Sequence, residues 1–444
     1  MRERAKALGR STLVSMLLLL PSAGRADEEI DELKALVEKQ SQQIEALQDE
    51  VQALQDEADS GLSDAAVEAV DQRIIDFENH PSSKLLISGY GAAGYTDPEI
   101  GRDTFGMLFV PILHYQLSDR LHLVGEVEFD LRSDESEVEV EYAQVDFLLN
   151  DYLTVTGGKF VLPFNTFSQR IHPAWINKLP SLPPIYGRHG SGGGIVPVLS
   201  DLGVNLSGGL RLPWFGGAEG PGLNYAFYVI NGPRIESESE IDERFEELAE
   251  FLEGEGAVMS ADELLEALGI GHGGGTEIEF GENFSDNNSD KALGGRLGLL
   301  PVPGLEVGGS YMGGEFDDAG DLDFRMFGFD ARYRIGPLDL SGEYLNLAFE
   351  RAIGGHERLD GFYTQGALKL RDTLAFLELP SIVHLDRTEL VLRYGEVRNG
   401  IDYRELTPGL VYWLRPSVPL KVAYSFRNGD RRDDEFQLQL AFGF

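Results

Sequence analysis

Charged side chains recur at every second position in several stretches of this chain. Glu126, Glu128 and Asp130 alternate with Val127, Phe129 and Leu131. Arg332 and Arg334 interleave with Ala331, Tyr333 and Ile335, and Lys421 and Arg427 with Leu420, Val422, Tyr424 and Phe426. Residues two apart in a strand share a face, so each stretch has a charged face and an apolar one. The chemistry open to such faces is electrostatic: they attract or repel passing ions, and no bond need break. Bond-making chemistry has weaker footing. The histidines, His80, His114, His122, His172, His189, His272, His356 and His384, stand in no nucleophile or metal motif. A hydrolase would need a Ser–His pair brought together across neighbouring strands. There is no cysteine, so thiolate sites and disulfides are excluded. Asp286-Asn287-Asn288-Ser289-Asp290 offers oxygens to calcium but lacks the glycine and closing glutamate of an EF-hand loop, and reads as a solvated acidic turn. No catalytic residue, cofactor or metal site is expected.

The elements that carry the charges read as strands. Candidates begin near Leu85, Phe105, Leu121, Val138, Leu153, Leu202, Leu223, Leu293, Leu305, Phe327, Leu338, Phe362, Leu390, Val411, Leu420 and Phe436. In the last of these, Phe436, Leu438, Leu440, Phe442 and Phe444 oppose Glu435, Gln437, Gln439, Ala441 and Gly443. A soluble sandwich would have to bury the charged faces in its core without partners. A closed barrel turns its apolar face to lipid and keeps the charges hydrated in a wet lumen. The fold class expected is all-β, a transmembrane antiparallel barrel of about 16 strands over 81–444. The glycine and aromatic content, 53 Gly, 16 Tyr and 25 Phe, suits tight turns and aromatic belts. A net charge of −38 argues against nucleic-acid binding.

Two segments precede the barrel. Arg2, Arg4, Lys6 and Arg10, the apolar run to Leu20, and Gly24-Arg25-Ala26 make a signal peptide over 1–26, too short in its apolar part for a spanning helix. Residues 27–80 form an α-helical coiled coil and linker helix. Ile30, Val37, Ile44 and Val51 take a positions, and Leu33, Gln40, Leu47 and Leu54 take d positions. β-branched a with leucine d favours a dimer, while the polar Gln40 layer is compatible with a trimer. The alternative is a single helix lying on another domain.

Two long loops interrupt the strands. The first, 165–200, carries Arg170, Lys178 and Arg188 with several prolines and Trp175. Folded into the lumen, it would constrict the pore and set selectivity; the alternative is a surface loop against a neighbouring protomer. Lys159, on the strand before it, has a lumen-facing option. The second, 232–290, is strongly acidic, with Ile241, Phe245, Leu248 and Leu252 at helical spacing, and is expected to be partly helical and extracellular.

The ending on Phe444 resembles the terminal strand of outer-membrane barrels, where it acts as an assembly signal. The order signal, coiled coil, barrel and terminal Phe is similar to that of trimeric Gram-negative outer-membrane porins. Gly158-Lys159-Phe160-Val161-Leu162-Pro163-Phe164 resembles the segment before the constriction loop of the phosphate-selective porin O/P group. That group's arginine-rich phosphate path is not evident here. The resemblance implies a homotrimer in the outer membrane with its coil in the periplasm, passing small hydrophilic solutes by diffusion. Glu126, Glu128 and Asp130 on an early strand would face Arg332, Arg334, Lys421 and Arg427 on late ones across the channel. The rival is a tether whose coil contacts the cell wall and whose barrel does not conduct.

Overall fold

The computed structural model describes residues 84–131, 136–187, 194–213, 220–235, 278–280, 288–351, 355–370, 385–400 and 402–444. The expected signal peptide, the heptad residues Ile30 to Leu54, Arg188 and most of 232–290 lie outside the described residues. The chain divides into Met1–Ser83 and Lys84–Phe444, and the second unit holds every described residue.

The strands are β1 Leu85–Pro98, β2 Thr104–Ser118, β3 Leu121–Leu131, β4 Ser136–Asn150, β5 Leu153–Val161, β6 Ser200–Arg211, β7 Gly222–Ile230, β8 Arg234–Ile235 and β9 Ile278–Glu279. They continue with β10 Ala292–Val302, β11 Leu305–Glu315, β12 Asp323–Ile335, β13 Leu338–Glu350, β14 His356–Lys369, β15 Thr388–Arg398, β16 Tyr403–Arg415, β17 Val418–Gly429 and β18 Glu435–Gly443. All but β8 and β9 pair antiparallel in one ring, a closed barrel of 16 strands in which β18 returns to β1. β8 and β9 form a separate pair inside the acidic excursion.

Most strands start where the alternation places them. β12 starts at Asp323, before the expected Phe327, and two strands begin earlier still relative to expectation, at His356 rather than near Phe362 and at Tyr403 rather than near Val411. Their first turns of sequence, His356-Glu357-Arg358 and Arg404-Glu405, have no apolar face to read. A ladder can outrun the apolar slab and stay paired in water. β5 ends at Val161, before the expected Phe164, because Pro163 has no N–H to give a ladder.

The outer wall is apolar on nearly every barrel strand, with Phe105, Val204, Leu297, Phe329, Leu392 and Phe426 among its exposed side chains. Among the described residues no helix is long and apolar enough to cross a membrane. The inner wall divides in two. From β7 through β14 it carries Tyr228, Met312, Met326, Leu345, Leu347 and Tyr363, all buried in one core. The open, polar lumen expected from the charged stretches therefore needs correcting: on these strands an apolar core, interrupted by Arg296, Asp330 and Glu343, fills part of it. Polar inner faces are found on β3 to β5 and β15 to β18, with Glu126, Lys159, Arg393 and Lys421.

The ring closes where β1 meets β18, from Tyr90 opposite Gly443 to Pro98 opposite Glu435. Gly89 and Phe444 add a reciprocal pair of backbone hydrogen bonds, N–H to O at 2.9 and 3.0 Å. The Phe442 and Phe444 rings lie over the bare backbone of Gly91 and Gly89; a Cβ on Gly91 would stand 2.5 Å from the Phe442 ring. Phe444 also stacks on Phe109 of β2 at 5.9 Å, so its ring bridges the seam. An aromatic pair of this kind contributes about 0.5–1.5 kcal/mol beyond the area it buries. Phe444→Asp is therefore expected to cut the heat-modifiable, membrane-inserted fraction several-fold on gels, while Phe444→Tyr keeps it. Equal amounts of inserted protein for both would show that the ring is dispensable.

Candidate functional site

The described parts of the segment between β5 and β6, 162–187 and 194–199, pack inside the barrel. Its first turn is a single π-helical turn, Phe167–Ile171. Apolar residues on one side of it, Phe164, Phe167, Ile171, Ile185, Tyr186 and Leu199, join the dry core of β7 to β14. Polar anchors then fix it to successive strands. Asn165 N donates to Ser310 Oγ of β11 at 3.0 Å. Glu343 of β13 accepts from Thr166 N at 3.0 Å, Phe167 N at 2.6 Å and Tyr186 Oη at 2.7 Å. A carboxylate accepting several N–H and O–H donors makes short, strong hydrogen bonds. Farther along, Arg393 of β15 donates to Ser181 O at 2.9 Å, and Tyr403 Oη of β16 donates to Pro184 O at 3.0 Å. Lys421 of β17 donates to the carbonyl oxygen of Ala174.

At the head of the loop lies a buried cluster that the sequence reading did not single out. Arg296 of β10, 3% exposed, grips Asp330 of β12 with Nε at 3.0 Å and Nη2 at 2.6 Å. The same guanidinium donates to Glu306 and Asn224 at 3.0 Å each and to Thr166 Oγ1 at 3.1 Å. Thr166 Oγ1 in turn donates to Asp330 at 2.5 Å. The guanidinium needs bare backbone beside it: a Cβ on Gly308 would come within 2.4 Å of Arg296 Nη2. The signal in the sequence was available, since Gly294, Arg296 and Gly298 oppose Leu293, Leu297 and Leu299.

The cations expected to line an eyelet take other positions. Arg170 pairs with Glu306 at 3.0 Å and Lys178 with Glu389 at 2.7 Å. Arg332 pairs with Asp339 at 2.6 Å, and Arg427 with Glu405 and Glu435 at 2.9 Å each. Lys421 is 1% exposed under the loop. Arg334 is exposed near the Gly304 turn, whose carbonyl accepts its N–H at 2.9 Å. Lys159 is buried and pairs with Glu139 at 3.2 Å.

Because the loop packs on the far half of the wall, space remains between it and the inner faces of β1 to β4 and β18. Two cavities occupy it, of about 210 and 440 Å³, and Tyr90 and His172 line both, so the two abut there. Glu128, Asp130, Glu139 and Glu141 line the first and Glu126 the second. Among the described residues no arginine or lysine borders either. Glu126 and Glu128 are on β3, and Glu139 and Glu141 on β4, with Glu128 directly opposite Glu139 in the ladder. Like charges placed opposite each other destabilise a sheet, so the pairing is unfavourable for the fold taken alone. A β-bulge at Glu141 adds to the crowding: Glu126 pairs with Tyr142 and Val127 with Val140, leaving Glu141 without a cross-strand partner. Tyr90 donates to Glu126 at 3.1 Å.

On the loop side, His172 Nδ1 lies 2.5 Å from Ser168 O. A carbonyl oxygen only accepts, so Nδ1 carries the proton and Nε2 of the neutral ring is an acceptor. Burial pushes the imidazole down to about 4, against a smaller opposing effect of the Ser168 carbonyl, so the ring is neutral near pH 7. Ser88, which lines the larger cavity, brings Oγ to 3.0 Å from His114 Nε2 across β1 and β2, the kind of pair a hydrolase would need.

Replacing Arg296 by Met strips Asp330 and Glu306 of a buried cation, a change that typically costs about 3–5 kcal/mol. The expected outcome is a lower unfolding temperature and new protease cleavage within 165–187 on the detergent-solubilised barrel. Arg325→Met, at an exposed position, should change neither.

No family model matches the chain, and no curated protein matches it. Solved structures with a similar fold include an anion-selective porin from Comamonas acidovorans, at 12% identity and TM-score 0.49, over 81% of this chain and 99% of that one. A loop-deletion mutant of OmpT, an outer membrane protein of Vibrio cholerae, is similar at 13% identity and TM-score 0.47, again over 81% and 99%. Salmonella typhi OmpF in complex with daunomycin is similar at 10% identity and TM-score 0.45, over 81% of this chain and 97% of that one.

Proposed function

We propose that this chain is an outer-membrane pore through which small hydrophilic solutes diffuse, with cations favoured over anions. The observation that supports the reading most is the acidic inner wall of β3 and β4, which faces the two cavities beside the loop. A carboxylate about 4 Å from a passing ion is worth about 1 kcal/mol in bulk water and about 4 kcal/mol at an effective dielectric of about 20. Each 1.4 kcal/mol is about tenfold in an equilibrium, so several carboxylates outweigh the two buried ammonium groups nearby, Lys159 tied to Glu139 and Lys421 held by Ala174 and Gln439. The loop cations Arg170 and Lys178, once candidates for attracting anions, are neutralised by Glu306 and Glu389 and pull little on a passing solute.

The pore acts without catalysis in this reading. A barrel hydrolase has one observation in its favour, the Ser88–His114 contact. The two readings part in a planar bilayer. Single channels are expected, with a reversal potential in a salt gradient that marks cation preference. Glu128→Gln combined with Glu139→Gln should move that potential toward anions, and Ser88→Ala should leave it unchanged. A barrel that never conducts would support the tether, and covalent labelling of Ser88 by a fluorophosphonate would support the hydrolase.

The proposal extends to assembly: 27–80 is a periplasmic coiled coil that holds protomers together. Deleting 27–60 should weaken the oligomer and leave the barrel folded. Light scattering that finds the intact protein monomeric would count against it.

A further inference from the structure

The smaller cavity has a chemical bias finer than its charge. Among the described residues, three polar atoms on its lining are buried and make no hydrogen bond to protein: Glu141 Oε1, Gln437 Oε1 and His172 Nε2. All three are acceptors. Glu141, 5% exposed, presents a carboxyl oxygen. Gln437 donates through Nε2 to Glu435, which fixes its amide with the oxygen on the other side. His172 has its proton on Nδ1, held by Ser168. Burying an acceptor without a donor is unfavourable. Three at one cavity call for a partner that only donates.

The charge around Glu141 sharpens this. Burial comes first in opposing a charge on Glu141, the like charges of Glu139, Glu128 and Glu126 add to it, and Lys159 acts against them. A neutral donor would leave that repulsion standing. Among the described residues no group of three or more His, Asp or Glu is placed to hold a metal ion directly. The rest of the lining is unsuited to a hydrated ion, since Leu108, Leu182, Val198 and Tyr90 border the same space. A cavity of about 210 Å³ equals about seven waters at about 30 Å³ each, room for a short-chain molecule. An ammonium or guanidinium group is donor-only and positively charged, and a short hydrocarbon chain would lie on the apolar part.

Resting on the pore reading, we infer that this cavity is a binding station for small aliphatic amines and guanidines, which pause between the Glu141 bulge and the His172 turn on their way through the barrel.

The test uses the full mature chain in detergent and in planar bilayers, with putrescine as probe and butanediol as its uncharged counterpart. Titration calorimetry is expected to show saturable putrescine binding and none for butanediol. Glu141→Gln should weaken binding at least tenfold. Gln437→Leu, which removes a second acceptor without touching the charge, should weaken it several-fold and serves if the first variant fails to fold. In bilayers, putrescine should interrupt the single-channel current and butanediol should not. Equal binding of both probes, unchanged affinity in the variants, or displacement of putrescine by magnesium at equal concentration would each overturn the assignment. Calorimetry reads the site even if no current flows, so absence of conductance defeats the pore reading alone. Conductance without putrescine binding defeats this inference alone.

Discussion

A sheet set in hydrocarbon has no water to satisfy a free edge, and each unpaired backbone group costs several kcal/mol there. The junction of β1 and β18 removes the edge, and every other feature rests on that closure. Sixteen strands in a ring enclose more volume than their own side chains fill. What occupies the interior then becomes a question of energetics, since empty apolar space is unfavourable and wet space is permeable. This chain answers it twice in one ring. From β7 to β14 it fills the interior with the loop and a dry apolar core. Along β1 to β4 it leaves the interior open and acidic.

The boundary between the two regimes is held by ion pairs that would be poor stabilisers on a surface. Exposed pairs contribute about 0–1 kcal/mol. Arg296 with Asp330, and Arg393 with Glu405, are nearly completely buried, and each also binds the loop. Taking such charges out of water costs much of what their attraction returns, so their main effect is placement rather than net stability. They fix which half of the lumen the loop covers. Glu343 does the same work with backbone N–H donors instead of a cation.

Much of this was legible in the chain. Period-two alternation located the strands because each has one face in lipid, and the strand number followed. It failed where that premise fails. The entrances to β14 and β16 have polar outward side chains, so Arg358 and Arg404 carry no apolar pattern. On β12 and β13 part of the inner face is apolar, so Met326 beside Phe327, and Leu345 beside Tyr344, put large apolar side chains on both faces and blur the alternation there. For the site, the sequence supplied the charges but not their partners. Arg170 meets Glu306, and Lys178 meets Glu389, across separations no local spacing reveals. Glu126, Glu128 and Asp130 were visible because they sit in one strand. Glu141 was not, because the bulge that turns it inward breaks the period by which it would be found.

That bulge has a consequence for how the acidic wall is specified. From Val138 to Phe147 the alternation of β4 is unbroken if Glu141 is skipped: Val138, Val140, Ala143, Val145 and Phe147 keep one face, and Glu139, Tyr142, Gln144 and Asp146 keep the other. Glu141 is thus surplus to the sheet. Its neighbours would find the same partners without it, and the barrel's register does not depend on its presence. A residue that the framework neither pairs nor requires is free to change without forcing any other to move. The chemistry of the passage is in this sense written on an inserted letter, separable from the text that folds the barrel.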